Sequence, residues 1–220
     1  SQAKTFTITV NPIPDDPVVG SVTTNEDTLS SGVAISRNLN DGAEVTHYQI
    51  TGITNGSVFL STTDGGGAVN DGDFITVSQG QNGLRFDPTL NFHGTGTFDV
   101  QASLNNTVGG LGGNKVQATI TVTSVNDDPV VTAPAANSVD EEATLNFGNT
   151  ITVSDVDDTL DPNQTRQVSL SVTSGVLTLS TGSGVAIDAG ADNSAAVTFS
   201  GTLAQLNAAL NGLTYVCLLY

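Results

Sequence analysis

Residues 8–19 read ITVNPIPDDPVV and residues 120–131 read ITVTSVNDDPVV. Eight of these twelve positions are identical, at a constant offset of 112 residues. Self-similarity at a fixed offset marks a tandem array, and a unit of that size is typical of one domain. Both copies have the same grammar. An alternating strand (Ile8, Val10; Ile120, Val122) leads into acidic residues, then a proline, then a new apolar strand. Proline has no backbone N–H and holds its predecessor extended. The pattern predicts a stiff joint between β-domains, with carboxylates at the joint.

The offset divides the 220 residues into three parts: 1–16, the terminal strand of a preceding repeat with its linker; 17–128, a complete domain; and 129–220, a second repeat. Residues 3–10, AKTFTITV, alternate Phe6, Ile8 and Val10 with threonines and match 115–122, the last strand of the complete domain. They read as an orphan strand, and the chain as a fragment of a longer array. Within 18–126, strand signals stand at 18–22, 33–36, 45–50, 57–60, 74–77, 83–86, 96–103 and 115–123. Between them lie clusters such as Asn40-Asp41-Gly42, Asn55-Gly56 and Asn70-Asp71-Gly72, which supply the positive-φ residues hairpins need. Many short strands at regular spacing predict an all-β, antiparallel sandwich. In the second repeat, 201–213 (GTLAQLNAALNGL) differs. Leu203, Leu206 and Leu210 fall at helical spacing, with Thr202 able to cap the start and Gly212 the end. The segment 213–216 matches 84–86, after which only Cys217-Leu218-Leu219-Tyr220 follow, so the second repeat reads as two strands short.

Charge narrows the function. The chain carries 22 acidic and 5 basic residues, a net charge of −17, which argues against nucleic acid and against anionic membrane surfaces. No apolar run approaches the ~18 residues of a spanning helix, so membrane insertion is not expected. An apolar fraction of 37% arranged with period two favours folded β-structure over acidic disorder. The single cysteine, Cys217, excludes an internal disulfide. Clustered carboxylates call for counter-ions, and hard divalent cations suit oxygen donors.

The joint VNDDPVV, with NEDTL or DEEATL shortly after it and SDVDD later, resembles the cadherin-like repeats of very large bacterial surface adhesins. The stretches LRFDPTLNFHGTGTFDVQAS (84–103) and TFSGTLAQLNAALNGLTYV (198–216) add to the likeness, which covers nearly the whole chain. The resemblance implies immunoglobulin-like or cadherin-like sandwich modules, calcium at the interdomain joints, export by type I secretion, and an adhesive or stalk role on the bacterial cell surface. It implies as partners calcium, neighbouring repeats of the same chain, and a host-cell or biofilm glycan or protein. Asn126, Asp127, Asp128 and Pro129 match part of the cadherin joint motif, one residue shorter. The glutamate near the domain start falls at Glu26, and at Glu141 or Glu142 in the second repeat. The paired aspartates of the following domain match Asp155 and Asp157. After the first joint, Pro14-Asp15-Asp16-Pro17, the same place reads Arg37-Asn38-Leu39-Asn40 and holds no paired carboxylate. The expected metal ligands are therefore Glu26, Asn126, Asp127, Asp128, Glu141, Asp155 and Asp157 at the second joint, and Asp15 and Asp16 at a weaker first joint.

Other chemistry finds little support. His47 and His93 are the only histidines and form no H-x-x-x-H zinc pattern. No G-x-S-x-G elbow occurs. Asp155, Asp157 and Asp161 partly follow calcium-loop spacing, but the glycine and closing glutamate of an EF-hand are missing. The sequence thus favours a non-enzymatic module. The competing reading is a carbohydrate-binding or accessory module of a secreted hydrolase. An aromatic content of 5% with no tryptophan weighs against the stacking platforms such a module needs.

Overall fold

The computed structural model describes residues 4–159 and 161–217. The chain divides into two compact units, residues 1–125 and 126–220.

Unit 1 contains β1 (Val18–Val19), β2 (Val22–Asn25), β3 (Ile35–Ser36), β4 (His47–Thr54), β5 (Gly56–Phe59), β6 (Ala68–Val69), β7 (Phe74–Thr76), α1 (Val77–Asn82), β8 (Arg85–Pro88), β9 (Gly94–Ser103) and β10 (Leu111–Thr123). One sheet has the order β2-β10-β9-β4-β7, another β6-β5-β8, and β1 pairs with β3. The pairs are antiparallel except β2 with β10, where Ile120 to Thr123 run parallel to Val22 to Asn25. Alternation decides which face is inside. In β9, Phe98, Val100 and Ala102 turn inward, and in β10 Ala118, Ile120 and Val122 do the same. They meet Tyr48 and Ile50 of β4 and, from the facing sheet, Val58 and Phe86 in one core, which makes the unit a β-sandwich.

The Phe86 ring fills space that two glycines leave. A Cβ at Gly56 or at Gly96 would collide with it. Nearby, α1 is a single short helix where the sequence pattern predicts strand over 74–77 and a turn at 81–83. Thr76 Oγ1 accepts the Gln79 N–H at 3.2 Å while Gln79 Oε1 accepts the Thr76 N–H at 2.8 Å. This reciprocal capping box closes two orphan donors of a helix too short to show a period.

The N-terminal segment departs from the orphan-strand expectation. Residues 4–17 form no strand, and Phe6, Ile8, Val10 and Ile13 are exposed. Alternation gives a strand its two faces, but pairing needs a neighbour with free N–H and C=O groups.

Unit 2 contains β11 (Val130–Thr132), β12 (Thr144–Asn146), β13 (Thr152–Ser154), β14 (Arg166–Ser171), β15 (Val176–Thr178), β16 (Ala186–Gly190), β17 (Ala196–Gly201), α2 (Leu203–Asn211) and β18 (Thr214–Val216). Its pairings echo unit 1. β11 pairs with β13 as β1 does with β3, β14 with β17 as β4 does with β7, and β15 with β18 as β5 does with β8. The helix lies where the leucine spacing predicts. Thr202 and Gln205 form the same capping box, and Leu206, Ala209 and Leu210 are buried. Asn207 fixes α2 to β13, accepting the Val153 N–H at 2.9 Å and donating to the Val153 carbonyl at 2.8 Å. The apolar residues 218–220 lie outside the described residues.

The counterparts of β9 and β10 are not found among the described residues of unit 2, where β14 is the end strand of β14-β17-β16. Its inward residues Val168 and Leu170 are half-buried, while Tyr48 and Ile50 of β4, covered by β9, are fully buried. Among the described residues, the buried core holds nine in unit 2 against seventeen in unit 1, so unit 2 has less apolar burial to stabilise it.

Two outcomes follow in calorimetry of this chain. The melt resolves into two transitions, with unit 2 melting first; a single coincident transition would contradict the difference in core size. Gly96→Ala destabilises unit 1 by about 1–3 kcal/mol through overpacking against Phe86. Phe86→Leu in the same chain recovers part of that loss, and strict additivity of the two changes would show that the ring and the glycine are not in contact.

Candidate functional site

The acidic residues expected to bind metal fall into three local arrangements, two in unit 1 and one in unit 2. At the start of unit 1, Pro14 and Pro17 are buried and bracket Asp15 and Asp16. The Asp15 N–H is held by both carboxylate oxygens of Asp41, at 3.1 and 3.2 Å. The Asp16 carboxylate accepts the backbone N–H and the side-chain amide of Asn114, and its carbonyl accepts from Asn38 Nδ2 at 3.0 Å. Asn114 can do this because the β9–β10 ladder shifts register between Gly112 and Val116. There the chain approaches so closely that a Cβ on Gly113 would lie 2.7 Å from the Asp15 carbonyl carbon. The bonds from Asn114, the backbone N–H foremost, hold the Asp16 carboxyl below the usual carboxylate range.

At the far end of unit 1, Glu26 is buried, and its Oε1 accepts the Val125 N–H at 2.6 Å. Its own N–H donates to the Thr123 carbonyl at 2.9 Å, continuing the β2–β10 ladder. Asp27 follows in the left-handed region, at φ 53°. In unit 2, Glu142 takes the same conformation, at φ 61°, so Glu141 is the counterpart of Glu26. Glu141 differs in being exposed, in the turn before β12.

In unit 2, the acidic stretch 155–158 is a 3₁₀ turn from Val156 to Thr159 that follows Asp155 directly. Asp155 Oδ1 accepts the Asp157 N–H at 3.0 Å, an Asx turn that sets the direction of the loop. Asp157 Oδ2 in turn accepts the Asp127 N–H at 2.6 Å. Carboxylate oxygens of Asp127 and Asp157 lie within 4.8 Å of each other. Arg166, at the start of β14, donates from Nε to Asp155 Oδ2 at 2.8 Å and from Nη1 to Asp158 Oδ1 at 3.0 Å. Asn126 turns its amide to the Asp127 carbonyl at 2.9 Å, and Asp128 is exposed.

Of the expected residues, then, Asp127, Asp155 and Asp157 form one hydrogen-bonded series in unit 2. Asn126 joins that series only through its amide on the Asp127 carbonyl, Asp15 and Asp16 stand together in unit 1, and for Asp128 and Glu141 the structure gives no side-chain bond to either group. Two residues were missed. Asp41 accepts the N–H of Asp15 as Asp157 accepts that of Asp127, so the first joint does have a carboxylate in the following loop. Asn38 starts its turn as Asp155 does, with Asn38 Oδ1 accepting the Asn40 N–H at 3.1 Å. Asp41 stands three residues after Asn38, whereas Asp157 stands two after Asp155, which hid Asp41 from a fixed aspartate spacing. Arg166 was the other omission, since nothing local in sequence ties it to Asp155.

The donors are carboxylate oxygens, which are hard ligands, and the series in unit 2 is compatible with calcium. Two oxygens each about 2.4 Å from one ion are at most about 4.8 Å apart. His47 is half-buried in β4, bonded through Nδ1 to Thr46 Oγ1 at 2.8 Å, and His93 is exposed in a loop. The Tyr48 hydroxyl is buried without a hydrogen-bond partner, and burial pushes its pKa up to about 12. Among the described residues, no helix is long and apolar enough to cross a membrane.

No protein-family model matches the chain, and no curated protein matches it. Solved structures do. The chain is similar to mouse cadherin-23 EC22-24 at 14% identity and a TM-score of 0.36, covering 86% of this chain and 55% of that one. It is similar to extracellular cadherin domains 3-6 of protocadherin gamma B2 at 13% identity and a TM-score of 0.30, covering 84% and 38%. It is similar to EC1-4 of Drosophila N-cadherin at 14% identity and a TM-score of 0.31, covering 84% and 40%. The chain therefore spans between 38% and 55% of the length of these structures.

The lowered Asp16 carboxyl gives a pH dependence. A depressed folded-state pKa contributes stability that is complete above the unfolded value near ~4 and is lost as pH falls through the folded value. In chelator, Asp16→Asn therefore loses less stability than the parent chain when unit 1 is melted between about pH 6 and about pH 2.5. Equal losses in the two proteins would show that Asn114 does not hold the carboxylate.

Proposed function

We propose that the chain is a non-enzymatic repeat module of a bacterial extracellular adhesin, with calcium binding at the interdomain joints. Its task is to extend and stiffen a stalk on the cell surface, with neighbouring repeats of the same chain as its first partners. The observation that carries the reading is the linked series Asp127, Asp157 and Asp155, in which backbone N–H groups order the carboxylates beside one another. Like charges held this close repel unless a cation joins them. Glu26 supports the same reading from unit 1. Its carboxylate is bonded to the N–H of Val125, the residue that directly precedes Asn126. A net charge of −17 agrees with a surface that works amid free calcium outside the cell.

We assign Asp127 and Asp157 as the principal ligands, with Glu26, Asn126 and Asp128 completing the oxygen set on binding. Asp15, Asp16 and Asp41 form the corresponding set at the first joint. Calcium takes 6–8 oxygens, so waters or backbone carbonyls fill the remaining positions.

The test is calorimetric titration with calcium, paired with small-angle scattering in chelator and in calcium. Heat of binding and a stiffer particle in calcium are expected. Asp157→Asn weakens the second-joint site by at least about tenfold, the cost of disturbing even an outer-shell partner. An unchanged scattering profile together with no binding heat would remove the calcium reading.

A further inference from the structure

We propose that Arg166 is a tethered counter-cation of the second joint: it takes Asp155 out of the calcium site and makes this joint less dependent on calcium than its number of carboxylates implies. The proposal rests on the calcium reading above and adds to it a device that sets affinity.

Arg166 is one of only five basic residues in the chain, so its place among carboxylates is informative. Its side chain is 11% exposed and that of Asp155 is 5% exposed. The guanidinium occupies Asp155 Oδ2 and Asp158 Oδ1, and its Nη1 also donates to the Gln164 carbonyl at 3.3 Å. The other oxygen of Asp155 is engaged by the Asp157 N–H. Both oxygens of Asp155 are thus committed within unit 2. A calcium ion ligated there would have to share its oxygen with a permanent cation, because arginine does not deprotonate in proteins.

The fit is electrostatic rather than complete. Nη2 is buried and has no hydrogen-bond partner. A buried donor left unpaired is costly, and a guanidinium held for hydrogen bonding alone would direct it to an acceptor. The positive charge beside Asp155 and Asp158 compensates that cost, and it does so without any metal. Among the described residues, unit 1 has no arginine paired with its joint carboxylates. Its arginine at the matching loop, Arg37, donates from Nε to the Val45 carbonyl at 2.7 Å and leaves Asp41 to Asp15. The joint with more aspartates therefore carries its own cation, and the joint with fewer does not. This reverses the ranking of the two joints that the motif alone gives.

The experiment compares the 220-residue chain with Arg166→Gln and Asp158→Asn, by calcium calorimetry and by melting in chelator and in calcium. Arg166→Gln binds calcium at the second joint on the order of tenfold more tightly, the effect expected when a charge a few ångströms from a dication is removed in a water-like dielectric. It also melts lower in chelator and gains more from calcium than the parent. Asp158→Asn removes one anchor of the guanidinium, so it binds calcium no more weakly than the parent even though an acid has been lost. This second variant decides the matter if Arg166→Gln does not fold. Folding of Arg166→Gln only in calcium would itself support the exchange of one cation for the other. Parent-like or weaker binding by Arg166→Gln, or weaker binding by Asp158→Asn, overturns the proposal while leaving the calcium reading intact. Absence of calcium binding in the parent and both variants removes both.

Discussion

At both joints the backbone N–H of the first aspartate of the Asp-Asp-Pro motif is held by a carboxylate from the loop that follows: Asp41 takes it from Asp15, and Asp157 from Asp127. The constraint begins with proline. Pro17 and Pro129 have no N–H, so each joint has fewer backbone donors with which to anchor itself. The donor that remains two residues earlier finds an ionised carboxylate, which gives a charge-assisted bond stronger than a neutral one. That bond gathers acids in one place. The arrangement which fixes the chain entering a unit is the same one that makes the position attractive to a cation.

The loops that supply these carboxylates are built by side-chain turns rather than by strand pairing. Asn38 and Asp155 each accept the N–H two residues on, and so present the next acid towards the joint. Asp41 comes five residues after the end of β3 at Ser36, and Asp157 three after the end of β13 at Ser154. A search for a fixed aspartate pair finds Asp155 and Asp157 and passes over Asp41. Turn chemistry was the transferable signal here, and residue identity was not, since asparagine starts the turn as well as aspartate does.

Long alternating segments were legible for the same physical reason that made short ones obscure. The strands β9 and β10 carry inward Phe98, Val100, Ala118, Ile120 and Val122 over enough residues for period two to stand out. The leucine spacing of α2 is equally plain. The helix α1 has six residues, too few for periodicity, and only its capping box Thr76–Gln79 could have announced it. That same box at Thr202–Gln205 links the two helices as equivalents. Residues 4–10 failed in the opposite way: the alternation is present, but among the described residues no strand pairs with it. The cation of unit 2 could not be read at all, because Asp155 and Arg166 are eleven positions apart and meet only through the fold.

Differences in burial between equivalent strands explain where each unit keeps its polar bonds. β4 and β14 occupy matching places, but β4 is covered by β9 and buries Tyr48 and Ile50 completely. Burial of its inward face carries the Tyr48 hydroxyl with it and leaves it unpaired, a local loss that the core of unit 1 outweighs. β14 begins instead with Arg166, whose charge is held by the two acids beside it. Asn207 adds two further bonds from α2 to β13. Both units thus place directional polar contacts at their acidic loops, and in unit 2 these include an arginine held by two aspartates. Cation exchange at Asp155 would therefore act on the stability of unit 2 as well as on the joint.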